Sequence, residues 1–181
     1  MNKIAVIFLF LIGLATSAYS QKNWNLGAGY FGQQATYPGA VLQLEYESFV
    51  NENLSLPLRA EVGFYNHNKS HNVLTADIQR GYRKYFSNSL FVEQSFGLGV
   101  MLSFYREKFW HEHEDETLTY FLNTPVVDFM PSTTLGLGYN LSKDRHSNDL
   151  LWVRTKISWQ LFSRELSKPY FGLMIGYTHS F

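Results

Sequence analysis

The sequence predicts an all-β chain, an eight-stranded antiparallel up-and-down transmembrane β-barrel that follows a cleaved signal peptide. Three observations carry this reading. The first twenty residues have an export layout. The rest of the chain alternates apolar with small or polar residues in segments of roughly ten, bounded by Asn, Ser, Gly and Pro clusters, with no helical period longer than a couple of turns. The last of these segments ends on an aromatic residue, Phe181.

Lys3 is followed by the apolar run Ile4 to Ala15 and then by small residues, the order of a secretory signal. Ala18-Tyr19-Ser20 puts small side chains at the two positions a signal peptidase must accommodate, which predicts cleavage before Gln21. Residues 1–20 are therefore expected to be the signal peptide and 21–181 the barrel. A retained helical anchor is the competing account, but the run falls short of the roughly 20 residues that span a bilayer.

Eight strands follow in order. The first, 24–31, sets Trp24, Leu26, Ala28 and Tyr30 against Asn25, Gly27 and Gly29, and the second, 40–49, sets Leu42, Leu44 and Tyr46 against Gln43, Glu45 and Glu47. The third, 54–65, has one unbroken apolar face from Leu54 to Phe64, opposed by Ser55, Arg59, Glu61 and Gly63. The fourth, 73–86, opposes Leu74, Ala76, Ile78 and Tyr82 to Thr75, Asp77, Gln79, Gly81 and Arg83. The fifth, 90–105, opposes Val92, Phe96, Leu98, Val100, Leu102 and Phe104 to Glu93, Ser95, Gly97, Gly99 and Ser103. The sixth, 127–141, and seventh, 151–162, continue the pattern, the latter with Arg154, Lys156, Ser158 and Gln160 on its polar face. The eighth, 170–181, puts Phe171, Leu173, Ile175, Tyr177 and Phe181 on the apolar face.

Alternation of this kind also suits a soluble barrel of the lipocalin kind, with its apolar face inward around a ligand. The polar face separates the two. A water-facing wall carries roughly a quarter to a third charged residues, whereas this face is rich in Gly, Ser, Thr and Asn, which suit a narrow lumen. Closure then leaves no unpaired strand edge in lipid.

Composition supports this and excludes other classes. With no cysteine, the chain has neither a lipid-anchored cysteine nor disulfides. A formal net charge of zero with 17% charged residues gives no electrostatic case for nucleic acid. Aromatic residues, also 17%, suit strands and membrane interfaces.

The run Phe171-Gly172-Leu173-Met174-Ile175-Gly176-Tyr177-Thr178-His179-Ser180-Phe181 resembles the closing strand of small Gram-negative outer-membrane proteins of the OmpA, OmpX or OmpW type. The resemblance covers the mature chain in pattern, without a family-specific motif. It implies an outer-membrane location, outer-membrane lipids as surroundings, and recognition of a C-terminal signal at Tyr177 and Phe181 by the barrel-assembly machinery. The Ser20-Gln21 junction resembles exported proteins of Bacteroidota.

Charged residues on the inner face test the register, because residues facing each other across a hairpin have a constant index sum. A three-residue turn at Asn51-Glu52-Asn53 places Glu45 opposite Arg59, and one at Ser87-Asn88-Ser89 places Arg83 opposite Glu93. Two lumenal ion pairs are expected, with a fold-stabilising role and a plugged interior. Arg80 and Gln94 carry the parity of the lipid-facing wall and lie diagonal to each other. Arg80 either snorkels toward the periplasmic head groups or is turned inward by a bulge at Gln79-Arg80. A functional reading of the pair is a lipid-headgroup or subunit contact.

With a periplasmic N-terminus, segments 33–38, 66–72, 106–123 and 163–168 face outward. The third carries His111, Glu112, His113 and Glu114; on an extended hairpin the imidazoles share a face and suit a divalent transition metal, the competing account being a solvated acidic tip. Lipid A deacylases resemble a His-x-Ser-Asn pattern, and Arg145-His146-Ser147-Asn148 lacks the intervening residue and falls in a periplasmic turn. No other Ser, His and acidic set is spaced for nucleophilic catalysis. No cofactor is expected. The function expected is that of a non-enzymatic outer-membrane barrel acting in envelope structure or surface interaction through its loops, with an unidentified envelope or surface protein as partner. The alternatives are a lipid A-modifying barrel enzyme, deacylase or acyltransferase, and a barrel binding or transporting a small apolar molecule.

Overall fold

The computed structural model describes residues 24–33, 37–67, 71–105, 126–142, 149–161 and 169–181. Eight antiparallel strands, β1 (Trp24–Gln33), β2 (Tyr37–Asn51), β3 (Leu54–His67), β4 (His71–Tyr85), β5 (Leu90–Tyr105), β6 (Val126–Asn140), β7 (Leu150–Trp159) and β8 (Pro169–Ser180), follow one another around a closed barrel. Their bounds lie close to those read from alternation, since each turn between them is marked by residues that leave the dyad pattern. Residues 1–20, expected to be a signal peptide, lie outside the described residues.

The ring closes where β8 pairs with β1, from Asn25 opposite Ser180 to Gln33 opposite Gly172. Phe181 N–H adds a hydrogen bond to the Trp24 carbonyl at 3.1 Å, so both ends of the described chain meet at one rim. That rim also carries the short turns. A circuit along paired residues from Asn25 passes Glu45, Arg59, Gln79, Gly97, Ser132 and Ser158 to Tyr170, which lies two residues before Gly172, the partner of Gln33. The stagger is therefore about ten residues around eight strands, which requires the strands to tilt steeply against the barrel axis.

Alternation sorts the side chains completely. Leu42, Ile78, Leu98, Leu137 and Phe171 stand exposed on the outer wall, while Glu45, Arg59, Arg83, Glu93 and Arg154 are buried inside. A soluble barrel places these classes the other way round, so the lipocalin-like alternative is overturned. Around the turn rim the outer wall presents Tyr82, Phe86, Tyr139, Tyr177 and Phe181 as an aromatic belt.

Three details differ from the sequence reading. The β2–β3 connection is a two-residue turn, Glu52-Asn53, with Asn51 opposite Leu54 and a bulge at Val50. Asn51 causes it by accepting a hydrogen bond from the Asn53 N–H at 3.0 Å, a side-chain substitute for a longer backbone turn. The bulge absorbs one residue, so the pairing of Glu45 with Arg59 is unchanged. β7 ends at Trp159 and continues only as an isolated bridge between Phe129 and Leu161. Pro131, facing this stretch, has no N–H to extend the ladder; Phe162 lies outside the described residues. Pro38, Asn66 and Asn72, expected in outward segments, belong to strands.

The β4–β5 turn keeps its three residues. Phe86 N–H donates to the Leu90 carbonyl at 2.8 Å, and Ser89 takes a left-handed φ of 65° that returns the chain into β5.

Leu98 stands on the outer wall between Phe96 and Val100, 61% exposed. In a bilayer, Leu98→Arg is expected to cost about 2–4 kcal/mol of folding stability, measured by denaturant titration in lipid vesicles.

Candidate functional site

The lumen is the place where chemistry-bearing side chains converge, because every second residue of all eight strands points there. Arg59 Nη2 lies 2.9 Å from Glu45 Oε2, and Arg83 Nη2 lies 2.6 Å from Glu93 Oε2. These cross-hairpin pairs are also joined to each other, with Arg59 Nη2 3.1 Å from Glu93 Oε1 and Arg83 Nη1 2.9 Å from Glu45 Oε1. Glu47 adds a contact to Arg83 at 3.0 Å and accepts a hydrogen bond from Tyr85 OH at 2.7 Å.

A third guanidinium completes the cluster from the far wall. Arg154 on β7 binds Glu93 Oε1 through Nε and donates from Nη1 to Gln43 Oε1. Its guanidinium carbon stands 4.0 Å from the centre of the Trp152 ring, which supplies a cation–π contact where Nη2 has no hydrogen-bond partner among the described residues. Trp152 is itself held by its Nε1–H donating to Thr178 Oγ1 at 2.8 Å. Gly176 makes room for the indole, since a Cβ there would overlap the ring and the Ala28 carbonyl. Three carboxylates and three guanidinium groups thus meet with their formal charges balanced.

A second cluster lies nearer the long-segment rim. Lys156 Nζ is 2.7 Å from Glu61 Oε1 and 2.9 Å from Asp77 Oδ2. Gln79 connects the two, donating to Asp77 Oδ2 at 2.9 Å and accepting from Arg59 Nη1 at 3.4 Å and Thr134 Oγ1 at 3.1 Å. Beyond it, Tyr65, Val73, Met101 and Met130 form an apolar layer packed by Phe31, Tyr37 and Tyr170. The space among Phe31, Tyr65, Met101, Met130, Lys156 and Tyr170 amounts to about 20 Å³, room for about one water.

Hairpin arithmetic reaches Glu45, Arg59, Arg83 and Glu93, but the partners contributed by Arg154, Lys156, Glu61 and Asp77 cross between strands that are not neighbours. Only parity hints at them, by putting each on the inner face. No sequence spacing says which inward charges meet, since that depends on the stagger of the whole ring.

Arg80 and Gln94 are on the outer wall, with Arg80 opposite Leu58 and Phe96 and Gln94 opposite Tyr82 and Leu135. The β4–β5 register is continuous through Arg80, so of the two expectations for this residue the bulge at Gln79-Arg80 is excluded and the side chain stays outside. The β3 ladder is interrupted at Leu56 and Pro57, but the register is the same on either side of that gap, so no extra residue is inserted to rotate Arg80 inward. Tyr177 and Phe181 are exposed on the outer wall at the turn rim. There His179 Nδ1 pairs with Asp149 Oδ1 at 2.7 Å. Burial is the largest single influence on the Asp149 carboxyl and raises it. The hydrogen bonds from His179, Tyr177 and the Ser180 backbone, together with the His179 charge, outweigh it and leave the group below its ordinary value. His111, Glu112, His113 and Glu114, like Arg145 to Asn148, lie outside the described residues.

No protein-family model matches the chain and no curated protein matches its sequence. Among solved structures, the barrel is similar to the outer membrane enzyme PagL, with a TM-score of 0.54 at 11% identity over 87% of this chain and 99% of that one. It is also similar to Neisserial surface protein A, with a TM-score of 0.51 at 9% identity over 87% of this chain and 96% of that one. At such identities the likeness is one of fold.

Glu93 touches Arg59, Arg83 and Arg154, so Glu93→Gln leaves three buried guanidinium groups sharing too little negative charge. The expected loss is about 3–5 kcal/mol, read as a lower denaturant midpoint with the barrel spectrum retained. The architecture is that of the small eight-stranded outer-membrane barrels.

Proposed function

We propose that the chain is an outer-membrane protein whose barrel is an anchor and a seal, and whose activity lies in what its long inter-strand segments present at the cell surface. The observation that carries this is the closed lumen: two linked ionic clusters and an apolar layer occupy it from one rim toward the other. An ion would have to displace charge-paired side chains to pass, at a cost of several kcal/mol for each pair opened. Neither the space of about 20 Å³ near the long-segment rim nor the largely polar recess of about 210 Å³ at the turn rim suits an apolar ligand of ordinary size, which speaks against the carrier reading. The exposed apolar wall, the aromatic belt and the export layout of the first twenty residues support this location.

Two measurements test it. Purified barrel reconstituted into planar bilayers is expected to give no steady ion-conducting openings, and a stable conductance would overturn the sealed-lumen reading. Protease added to intact cells is expected to cleave within 106–123, and full protection of that segment would remove surface display.

A further inference from the structure

The outer wall of β3, β4 and β5 is polar only at its two ends: Asn66 donates to Asn72 at the long-segment end, and a charged group lies near the turn rim. Arg80, Tyr82 and Lys84 alternate along β4 and share its outer face, with Gln94 beside Tyr82 on β5. Tyr82 OH donates a hydrogen bond to Gln94 Oε1. Arg80 is exposed and has no hydrogen-bond or ion-pair partner among the described residues, while Lys84 Nζ stands 6.0 Å from the centre of the Phe86 ring. The outer faces of β3, β4 and β5 carry no carboxylate. Two cations on a lipid-facing wall therefore have no counter-charge supplied by that wall.

Their depth says what the missing charge is. Tyr82 belongs to the aromatic belt of the turn rim, the level at which such rings sit against lipid head groups. Arg80 lies two residues inward of Tyr82, and Lys84 two residues toward the rim, between Tyr82 and Phe86, so the Cα atoms of Arg80 and Lys84 stand about 13 Å apart along the strand. Long flexible side chains at that spacing can bend toward each other and meet beside Tyr82. An arginine held in hydrocarbon is costly, and a phosphate at the belt removes the cost by giving the guanidinium an anion and two acceptor oxygens.

We propose that Arg80 and Lys84, with the Tyr82–Gln94 pair between them, bind the phosphate of a glycerophospholipid in the leaflet at the turn rim. This rests on the membrane reading above. The lipid's acyl chains then lie along the Leu58 and Phe96 side of the wall, which gives a lipid an advantage over free phosphate.

The test uses the folded full-length mature barrel in neutral detergent micelles, titrated with phosphatidylglycerol and, in a separate arm, with inorganic phosphate, with bound species counted by native mass spectrometry. One phosphatidylglycerol is expected to be retained above the background of weakly bound copies. Its affinity should fall about five-fold in Arg80→Gln and about as much again in Arg80→Gln/Lys84→Gln, while Arg80→Lys should stay near wild type. Unchanged lipid binding in the double variant overturns the site, as does binding of inorganic phosphate with equal affinity. A dimer that disappears in Arg80→Gln would assign the wall to a second copy instead and overturn the lipid site. A barrel that fails to insert into vesicles, seen as protease sensitivity throughout, overturns the membrane reading and the site with it; insertion with unchanged lipid binding overturns the site alone.

Discussion

Closure of the hydrogen-bonded ring is the constraint on which the rest of the structure depends. A strand in hydrocarbon must have its N–H and C=O groups paired, because an unsatisfied group there costs several kcal/mol. β8 meets this requirement by pairing with β1 along nine consecutive positions, and Phe181 extends the seam to Trp24. Once the ring is closed, each side chain has only two directions available. The dyad alternation of the sequence then decides its environment, lipid or lumen.

The narrow lumen follows from that closure and sets its own demand. Inward charges cannot reach bulk water, so each must find an opposite charge or a hydrogen bond inside. Glu45, Glu93, Arg59, Arg83 and Arg154 do so from five different strands, and Gln79 ties them to the Lys156 cluster. Such a network contributes less to stability than its short distances suggest, because the desolvation of each ion offsets much of the Coulomb gain. Its stronger effect is on register. A one-residue slip of any of these strands would turn its charge to the lipid side and leave its partners buried alone.

The same logic gives the outer wall its meaning. Most positions there are Leu, Val, Phe or Ile, so Arg80, between Leu58, Phe96 and Ile78, stands out as a charge on an apolar wall. The wall could have removed the cation through a bulge, as it accommodates Val50 near a turn, yet the register through Arg80 is kept on both neighbouring strands. A charge retained at the edge of the aromatic belt belongs to the interaction of the barrel with its lipid.

By itself the sequence determined the strand number, the face of each side chain and the two pairs Glu45 with Arg59 and Arg83 with Glu93, because alternation and hairpin index sums are local properties that survive folding unchanged. It left the length of the turn after Val50 and the end of the seventh strand misread, since a bulge and a lost ladder bond are settled by a side-chain hydrogen bond and a missing N–H at single positions. Only the tertiary structure decided that those pairs form one network with Arg154, and that Lys156 bridges Glu61 and Asp77. Those contacts cross the lumen between strands far apart in the chain, and their partners are set by the stagger of the closed ring, which no single hairpin contains.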